Sequence, residues 1–336
     1  MFKDSQEIID KYINSPYQSL LLELTSDCNK NCSFCYQKKR VVDRKYINDT
    51  FFNQCIELIS TNHINQVIFS GGEPLMHKDI LKYIDILNNI KVKVLIITNG
   101  LLLNDLLLAE LEKRKNVTVK VSVEINDSEH VFKLIKRINN YDIRTRAAIT
   151  LYSDESKEVK KIIEQFSEFK IPVEVAFPMF KGNAKYSKNE IYRLKEILKE
   201  LISLSLDKKI QVESQYISAA IDNYFIPQLS RFNNCSVCKA IKIDIEGQIF
   251  ACPYFLSSKY VIGNINNEVF VNKGTSEQIQ KEMFINKKND KCFECKWNNI
   301  CGAGCLAMSE EGNEKDYSCE ITKYAYETIN EYFNKY

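Results

Sequence analysis

The feature that most restricts how this chain can fold is an alternation of six short apolar, β-branched runs with segments of helical spacing. The runs are SLLLEL (19–24), QVIFS (66–70), KVLIIT (93–98), VTVKVSVEI (117–125), IRTRAAIT (143–150) and VEVAF (173–177). Each has the length and residue types of a buried strand. Between them, 48–60, 79–89, 105–114, 128–140 and 154–169 place apolar residues on one helical face. A further helix is expected at 188–206, where Ser187 and Glu190 have capping-box spacing. Strands recurring at intervals of roughly 25 residues with a helix between them run parallel and cross over right-handedly. The expected class is α/β, built as an open barrel or a doubly wound sheet. Sites in such folds lie at the carboxyl ends of the strands, so the loops after each run are where chemistry is to be sought.

After about residue 207 the alternation stops, and a Cys-rich stretch from Cys235 to Cys319 follows. This divides the chain into an N-terminal helical segment (1–18), a β/α domain (19–206), a linker (207–234), a smaller Cys-rich domain (235–320) and a C-terminal helix (321–336). Within the Cys-rich part, IKIDI and QIFAC flank Glu246 and Gly247, which suits a hairpin. The aromatic tail from Ile321 reads as a packing helix.

Charge and targeting signals narrow the function classes. The chain has 46 Lys plus Arg against 44 Asp plus Glu, so it lacks the basic excess of a nucleic-acid binder. No apolar run reaches the roughly 18 residues that span a membrane, and the first fifteen residues hold no signal-peptide core. The expectation is a cytoplasmic protein without nucleic-acid or membrane partners. Its twelve cysteines would then be reduced, and their spacing points to metal rather than to disulfides. His63, His77 and His130 form no constellation with a nucleophile, and no glycine loop suits a phosphate.

Directly after the first strand comes Cys28-Asn-Lys-Asn-Cys32-Ser-Phe-Cys35-Tyr36, three cysteines without a nearby fourth. A structural zinc site wants four closed ligands, whereas three thiolates suit a centre with an open position. An iron-sulfur cubane bound by three cysteines leaves one iron for an exogenous ligand, and a zinc site is the plainer alternative. The second strand ends in Ser70-Gly71-Gly72-Glu73-Pro74, where paired glycines would let the backbone approach a ligand and a carboxylate stands beside them.

CxxxCxxC followed one strand later by GGEP resembles the radical S-adenosylmethionine (SAM) enzymes. The resemblance covers roughly residues 19–180, with further Cys matches to 319. It implies a partial (β/α)6, TIM-like barrel of parallel strands, with a smaller Cys-rich iron-sulfur domain at the C-terminus. It also implies a 4Fe-4S cluster on Cys28, Cys32 and Cys35, with SAM chelating the open iron. Phe34 and Tyr36 match the aromatic positions near the adenine, and Gly71, Gly72, Glu73 and Pro74 match the turn that receives the methionine amino group. Thr98-Asn99-Gly100 resembles the turn near the ribose. Ser122, with Glu124, resembles the S-x-D/E element of strand four, and Arg146 falls where the family often places an Arg to the SAM carboxylate; Arg144 is the alternative.

The later cysteines are Cys235, Cys238, Cys252, Cys292, Cys295, Cys301, Cys305 and Cys319, enough for two four-ligand sites. Two zincs would satisfy that arithmetic. The spacing, with Gly247 and the Cys301-Gly-Ala-Gly-Cys305 turn, resembles the SPASM extension of peptide-modifying radical SAM enzymes, which implies two auxiliary 4Fe-4S clusters and three in all. By family connectivity Cys235, Cys238, Cys252 and Cys305 would hold the first, and Cys292, Cys295, Cys301 and Cys319 the second. Cys55, beside Phe51, Phe52 and Ile56, is left over and reads as core.

The resemblance implies a peptide substrate for hydrogen-atom abstraction, giving a thioether, a crosslink or an epimerised residue. The alternatives are dehydrogenation of a small molecule, an anaerobic sulfatase-maturase-like activity, and a non-catalytic zinc scaffold. Pro253 stands where sulfatase-maturing relatives carry an acidic base, and a proline accepts no proton. Only 27 residues precede Cys28, too few for the leader-binding domain of many peptide maturases, so a separate leader-binding protein is one expected partner. The basic run Lys38 to Lys45 is either a solvated face or a docking site for an acidic electron donor such as a flavodoxin or ferredoxin.

Overall fold

The structure is a computed structural model that describes residues 17–32, 35, 44–125, 128–151, 156–177, 187–207, 210–225, 239–255, 257–267, 271–272, 274–279, 292, 294–298, 301 and 317–335. The expected N-terminal helix lies outside these residues but for 17 and 18, as do Phe34, Tyr36, Cys235, Cys238, Cys305 and the basic run up to Asp43.

The expected alternation is present, and its class is α/β with mostly parallel strands. In chain order it runs β1 (Ser19–Thr25), α1 (Asp49–Thr61), β2 (Gln66–Gly71), α2 (Ile80–Asn89), β3 (Lys93–Thr98), α3 (Asp105–Glu112), β4 (Val117–Val123), α4 (Ser128–Ile138), β5 (Arg144–Thr150), α5 (Ser156–Ser167), β6 (Val173–Ala176) and α6 (Lys188–Leu206). Helix α1 starts where the Asn48 side chain accepts from the Phe51 N–H, an N-cap that satisfies an orphan donor. It buries Phe52, Cys55, Leu58 and Ile59 on one face, and Phe52 stacks on Tyr83 of α2 with ring centroids 3.9 Å apart. Helix α6 opens with the expected capping box, in which Glu190 N donates to Ser187 Oγ and Ser187 N donates to the Glu190 carboxylate.

Two compact units divide the chain. The first comprises 1–122, 134–145 and 236–281. Its strand order is β10-β9-β8-β1-β2-β3-β4, with β8 (Ala240–Ile243), β9 (Gln248–Phe250) and β10 (Val261–Asn264) taken from the Cys-rich half. Strand β1 is paired on both sides, parallel to β2 with Ser19 against Gln66 and parallel to β8 with Ser19 against Ala240. One unit ends at 235 and the other resumes at 236, and the stretch from 236 to 281 packs with β1 rather than apart from it. The reason is physical: β1 is a long apolar strand, and an uncovered edge would present a row of unpaired backbone groups. Strands β8 and β9 form the expected hairpin, and Asp244 Oδ1 accepts from the N–H of Glu246 at 3.1 Å and of Gln248 at 2.9 Å to turn it.

The second unit comprises 123–133, 146–235 and 282–336. Here β5 runs parallel to β6, and β6 to β7 (Val212–Glu213). Strand β7 and α7 (Gln215–Phe225) occupy what reads from sequence as the linker 207–234. Two residues of strand carry no alternation to detect, but Tyr216, Ile217 and Ala220, all buried, are the helical spacing that reveals α7. The tail helix, α8 (Tyr317–Asn334), buries Ile321, Ala325, Tyr326 and Ile329, and Phe333 meets Tyr224 of α7 at 4.8 Å. No helix of the described residues is long and apolar enough to cross a membrane.

Candidate functional site

In the first unit, the ends of β1, β2 and β3 converge on the loop that carries the first three cysteines. The register of β1 against β2 shifts between Glu23 and Thr25, a bulge of the kind that re-aims a strand end beside a site. Beyond it, the chain leaves through Ser26 and Asp27 into Cys28, Cys32 and Cys35 and returns through Arg44 to Tyr46. The neck of this loop is pinned. Ser26 N donates to Lys45 O at 3.0 Å, Lys45 N to Ser26 Oγ at 2.9 Å, and Thr25 Oγ1 to Lys45 O at 2.7 Å.

Asp27 fixes the backbone of the first cysteine. Its Oδ1 accepts from Cys28 N at 2.9 Å and its Oδ2 from the Tyr46 hydroxyl at 2.7 Å. That bond pushes the Tyr46 phenol above its ordinary range, because ionisation would set two negative charges together. Neither Asp27 nor Tyr46 stands out in the sequence by spacing. The signal that would have found them is a carboxylate directly before the first cysteine.

The GGEP turn is built against this loop. Gly72 N donates to Thr25 O at 2.7 Å and Glu73 N to Asp27 O at 2.8 Å. Gly71 has φ +115°, and a Cβ there would fall on the Thr25 carbonyl, as one on Gly72 would fall on the Asp27 carbonyl. The paired glycines thus admit the close approach of the chain's own backbone. Pro74 follows at the start of a 3-10 turn, Pro74–Met76, that Glu73 caps.

Glu73 is buried in the same turn. It is 1% exposed; its Oε1 accepts from Thr98 Oγ1 at 2.8 Å and Leu75 N at 3.1 Å, and its Oε2 from Asn99 N at 2.9 Å. Burial raises its pKa, and the three donors oppose that rise. The carboxylate braces the end of β2 against the Thr98-Asn99-Gly100 turn. Asn99 then reaches the cysteine loop, its Nδ2 donating to Asn29 Oδ1 at 2.7 Å. Ser122 lies half-buried near the end of β4. Arg146 belongs to the second unit, where its guanidinium is paired with Glu213 of β7.

Cys28, Cys32 and Cys35 are half-buried, and none of the described cysteines is in a disulfide. Cys35 N donates to Cys32 O at 3.3 Å, closing the CxxC turn. Burial pushes the Cys28 thiol up, and the charges of Glu73, Cys35 and Asp27 push the same way against a lowering Lys30 N–H. A thiolate there needs a cation, which ligated iron supplies. Among the described residues no three His, Cys, Asp or Glu side chains converge on one metal ion. Three half-buried thiols carried on one pinned loop have the donor chemistry of a cluster with an open iron.

Of the later cysteines, Cys252 follows β9 and is buried, with its carbonyl accepting from Phe255 N at 3.1 Å. Cys292, Cys295 and Cys301 are half-buried; Cys295 N donates to Cys292 O at 3.2 Å and Cys301 N to Trp297 O at 2.8 Å. Cys319 is exposed in the first turn of α8.

The fold is shared with polyhistidine-tagged anSMEcpe with bound AdoMet (TM-score 0.77, 19% identity, 96% of this chain and 99% of that one). It is shared also with Streptococcus suis SuiB bound to precursor peptide SuiA (TM-score 0.71, 18% identity, 94% and 79%). In sequence, a probable GTP 3',8-cyclase of Methanothermobacter thermautotrophicus is 33% identical over 89 residues, 26% of this chain and 29% of that protein. The chain spans less than half the length of the curated relatives it matches. Residues 22–185 match the family model of the Radical SAM superfamily, and with the three cysteines and the GGEP turn inside that stretch, this part of the chain is a radical SAM domain.

Proposed function

We propose that this radical SAM enzyme modifies a ribosomally made peptide, with two auxiliary 4Fe-4S clusters in a SPASM-like region formed by Cys235, Cys238, Cys252, Cys292, Cys295, Cys301, Cys305 and Cys319. The observation that carries this reading is the extent of the likeness to SuiB with its precursor peptide. At 94% of this chain, it takes in the Cys-rich half as well as the barrel strands. Bound at Cys28, Cys32 and Cys35, a 4Fe-4S cluster with SAM on its open iron would supply one-electron cleavage of SAM and hydrogen-atom abstraction from an unactivated C–H bond.

The chain's own share is positioning. The Ser26–Lys45 neck holds the cysteine loop, Asp27 fixes the Cys28 backbone, and Glu73 locks the β2 and β3 turns so that the SAM-facing backbone is set before ligand arrives. Phe34 and Tyr36, the Gly71, Gly72, Glu73 and Pro74 turn, Thr98 and Asn99, Ser122 and Arg146 are the proposed SAM contacts, and a flavodoxin or ferredoxin is the proposed electron donor. A second reading has its own observation: the 33% identity to a probable GTP 3',8-cyclase favours a nucleotide as substrate.

The test is anaerobic reconstitution, an iron count, and 5'-deoxyadenosine formation with a peptide encoded nearby or with GTP. The peptide reading expects about twelve irons per chain, three cubanes of four, and SAM cleavage raised by peptide and not by GTP. About four irons with zinc in the remaining sites would remove the auxiliary clusters, and stimulation by GTP alone would favour the cyclase-like reading.

A further inference from the structure

Every polar atom of Asp27 is committed. Its N–H donates to Thr25 Oγ1 at 2.9 Å and its carbonyl accepts from Glu73 N at 2.8 Å. Its Oδ1 accepts from Cys28 N at 2.9 Å, and its Oδ2 accepts from the Tyr46 hydroxyl at 2.7 Å. The side chain is 7% exposed, and Arg44 Nε lies 3.4 Å from Oδ1 on a side chain that is 76% exposed. Water screens that exposed guanidinium, so it offsets little of the buried charge.

Two consequences bear on a cluster at Cys28. Backbone N–H groups that donate to cluster or ligand sulfur raise the reduction potential of an iron-sulfur centre, and nearby negative charge lowers it. Asp27 takes the Cys28 N–H for itself and sets a buried carboxylate one residue from a ligand. We infer that Asp27 is a positioning residue that keeps the potential of the Cys28, Cys32 and Cys35 cluster low, with Tyr46 clamping its carboxylate in place. The inference rests on the reading that these three cysteines hold a 4Fe-4S cluster. A low potential is what delivery of an electron to SAM demands.

The test uses the reconstituted full-length holoenzyme and follows, in an EPR-monitored redox titration, the signal that changes when SAM is added. Asp27→Asn keeps an oxygen for the Cys28 N–H and removes the charge; it should retain the wild-type iron content and melting temperature while the midpoint shifts upward. 5'-Deoxyadenosine should then form more slowly with the same reductant. Asp27→Glu should restore a low midpoint. Tyr46→Phe, which opens the clamp and leaves the charge, should speed iron loss to a chelator without moving the midpoint. An unchanged midpoint in Asp27→Asn, an equal shift in Tyr46→Phe, or failure of Asp27→Asn to hold iron would each overturn the inference. Absence of a SAM-responsive signal from the wild type would instead remove the cluster reading beneath it.

Discussion

Burying a carboxylate costs several kcal/mol, on the order of a buried ion's effective penalty, unless donors meet it. Glu73 is met by three, from Thr98, Asn99 and Leu75. Its pKa is raised all the same, with desolvation the largest cause. Because the folded carboxyl holds its proton more tightly than the unfolded one, this residue's contribution is greatest below its unfolded value and is lost as pH rises through the folded one. Glu73→Gln removes that titration and leaves an amide N–H facing one of the three donors, which should cost about 1–3 kcal/mol. Urea unfolding of wild type and variant from neutral pH down toward the ordinary carboxylate range should show wild type gaining on the variant as pH falls; a constant gap would mean that Glu73 is not desolvated as described. The GGEP signature was legible in the sequence and its geometry was not. A string of residues cannot reveal that the atoms closest to Gly71 and Gly72 are the carbonyls of Thr25 and Asp27, which lie far earlier in the chain.

At the scale of elements, helix α1 carries the one cysteine outside the proposed ligand sets. Cys55 is fully buried among Phe52, Leu58 and Ile59, and burial alone pushes its thiol far above the usual range. Such a thiol behaves as a small hydrophobe. Cys55→Ala should therefore leave SAM cleavage and product unchanged and cost about 1 kcal/mol, the loss of a small buried group. A variant that folds but gives an altered product would make Cys55 a hydrogen donor. Why the six parallel strands and their helices could be read in advance is visible in β4, where Val117, Val119, Val121 and Val123 are buried and the residues between them are not. Period two needs only local sequence. Pairing partners are set by tertiary contact instead, so nothing local announces that Ala240–Ile243 lies against β1. The two residues of β7 are too few to show any period.

Over the whole molecule, the question is whether the fold makes the cysteine loop or the metal makes the fold. In the first unit the loop is held by hydrogen bonds that join Thr25 and Ser26 to Lys45, Asp27 to Glu73, and Asn29 to Asn99. The last of these spans 70 residues. All are anchored on β1, β2 and β3, whose Leu20, Leu22, Val67, Phe69, Val94 and Ile96 are buried, each side chain worth roughly 1.5–3 kcal/mol. A small zinc domain has no such core and unfolds when its metal is removed. Here the apolar layers are made by side chains and not by metal, so a chelator that strips the first cluster should leave the helical circular dichroism nearly unchanged and thermal unfolding cooperative, while protease sensitivity rises between Cys28 and Arg44 alone within the first unit. Loss of most helical signal with the iron would mean that the cluster, rather than the parallel strands, organises this region. The prediction separates the first cluster from the later cysteines, because Cys292, Cys295 and Cys301 lie in a segment whose described backbone is held by short-range turns, Cys295 to Cys292 and Cys301 to Trp297. With no strand beneath them among the described residues, those turns should lose amide-exchange protection when the proposed auxiliary clusters are removed, and the turn at Asp27 and Cys28 should keep more of its own.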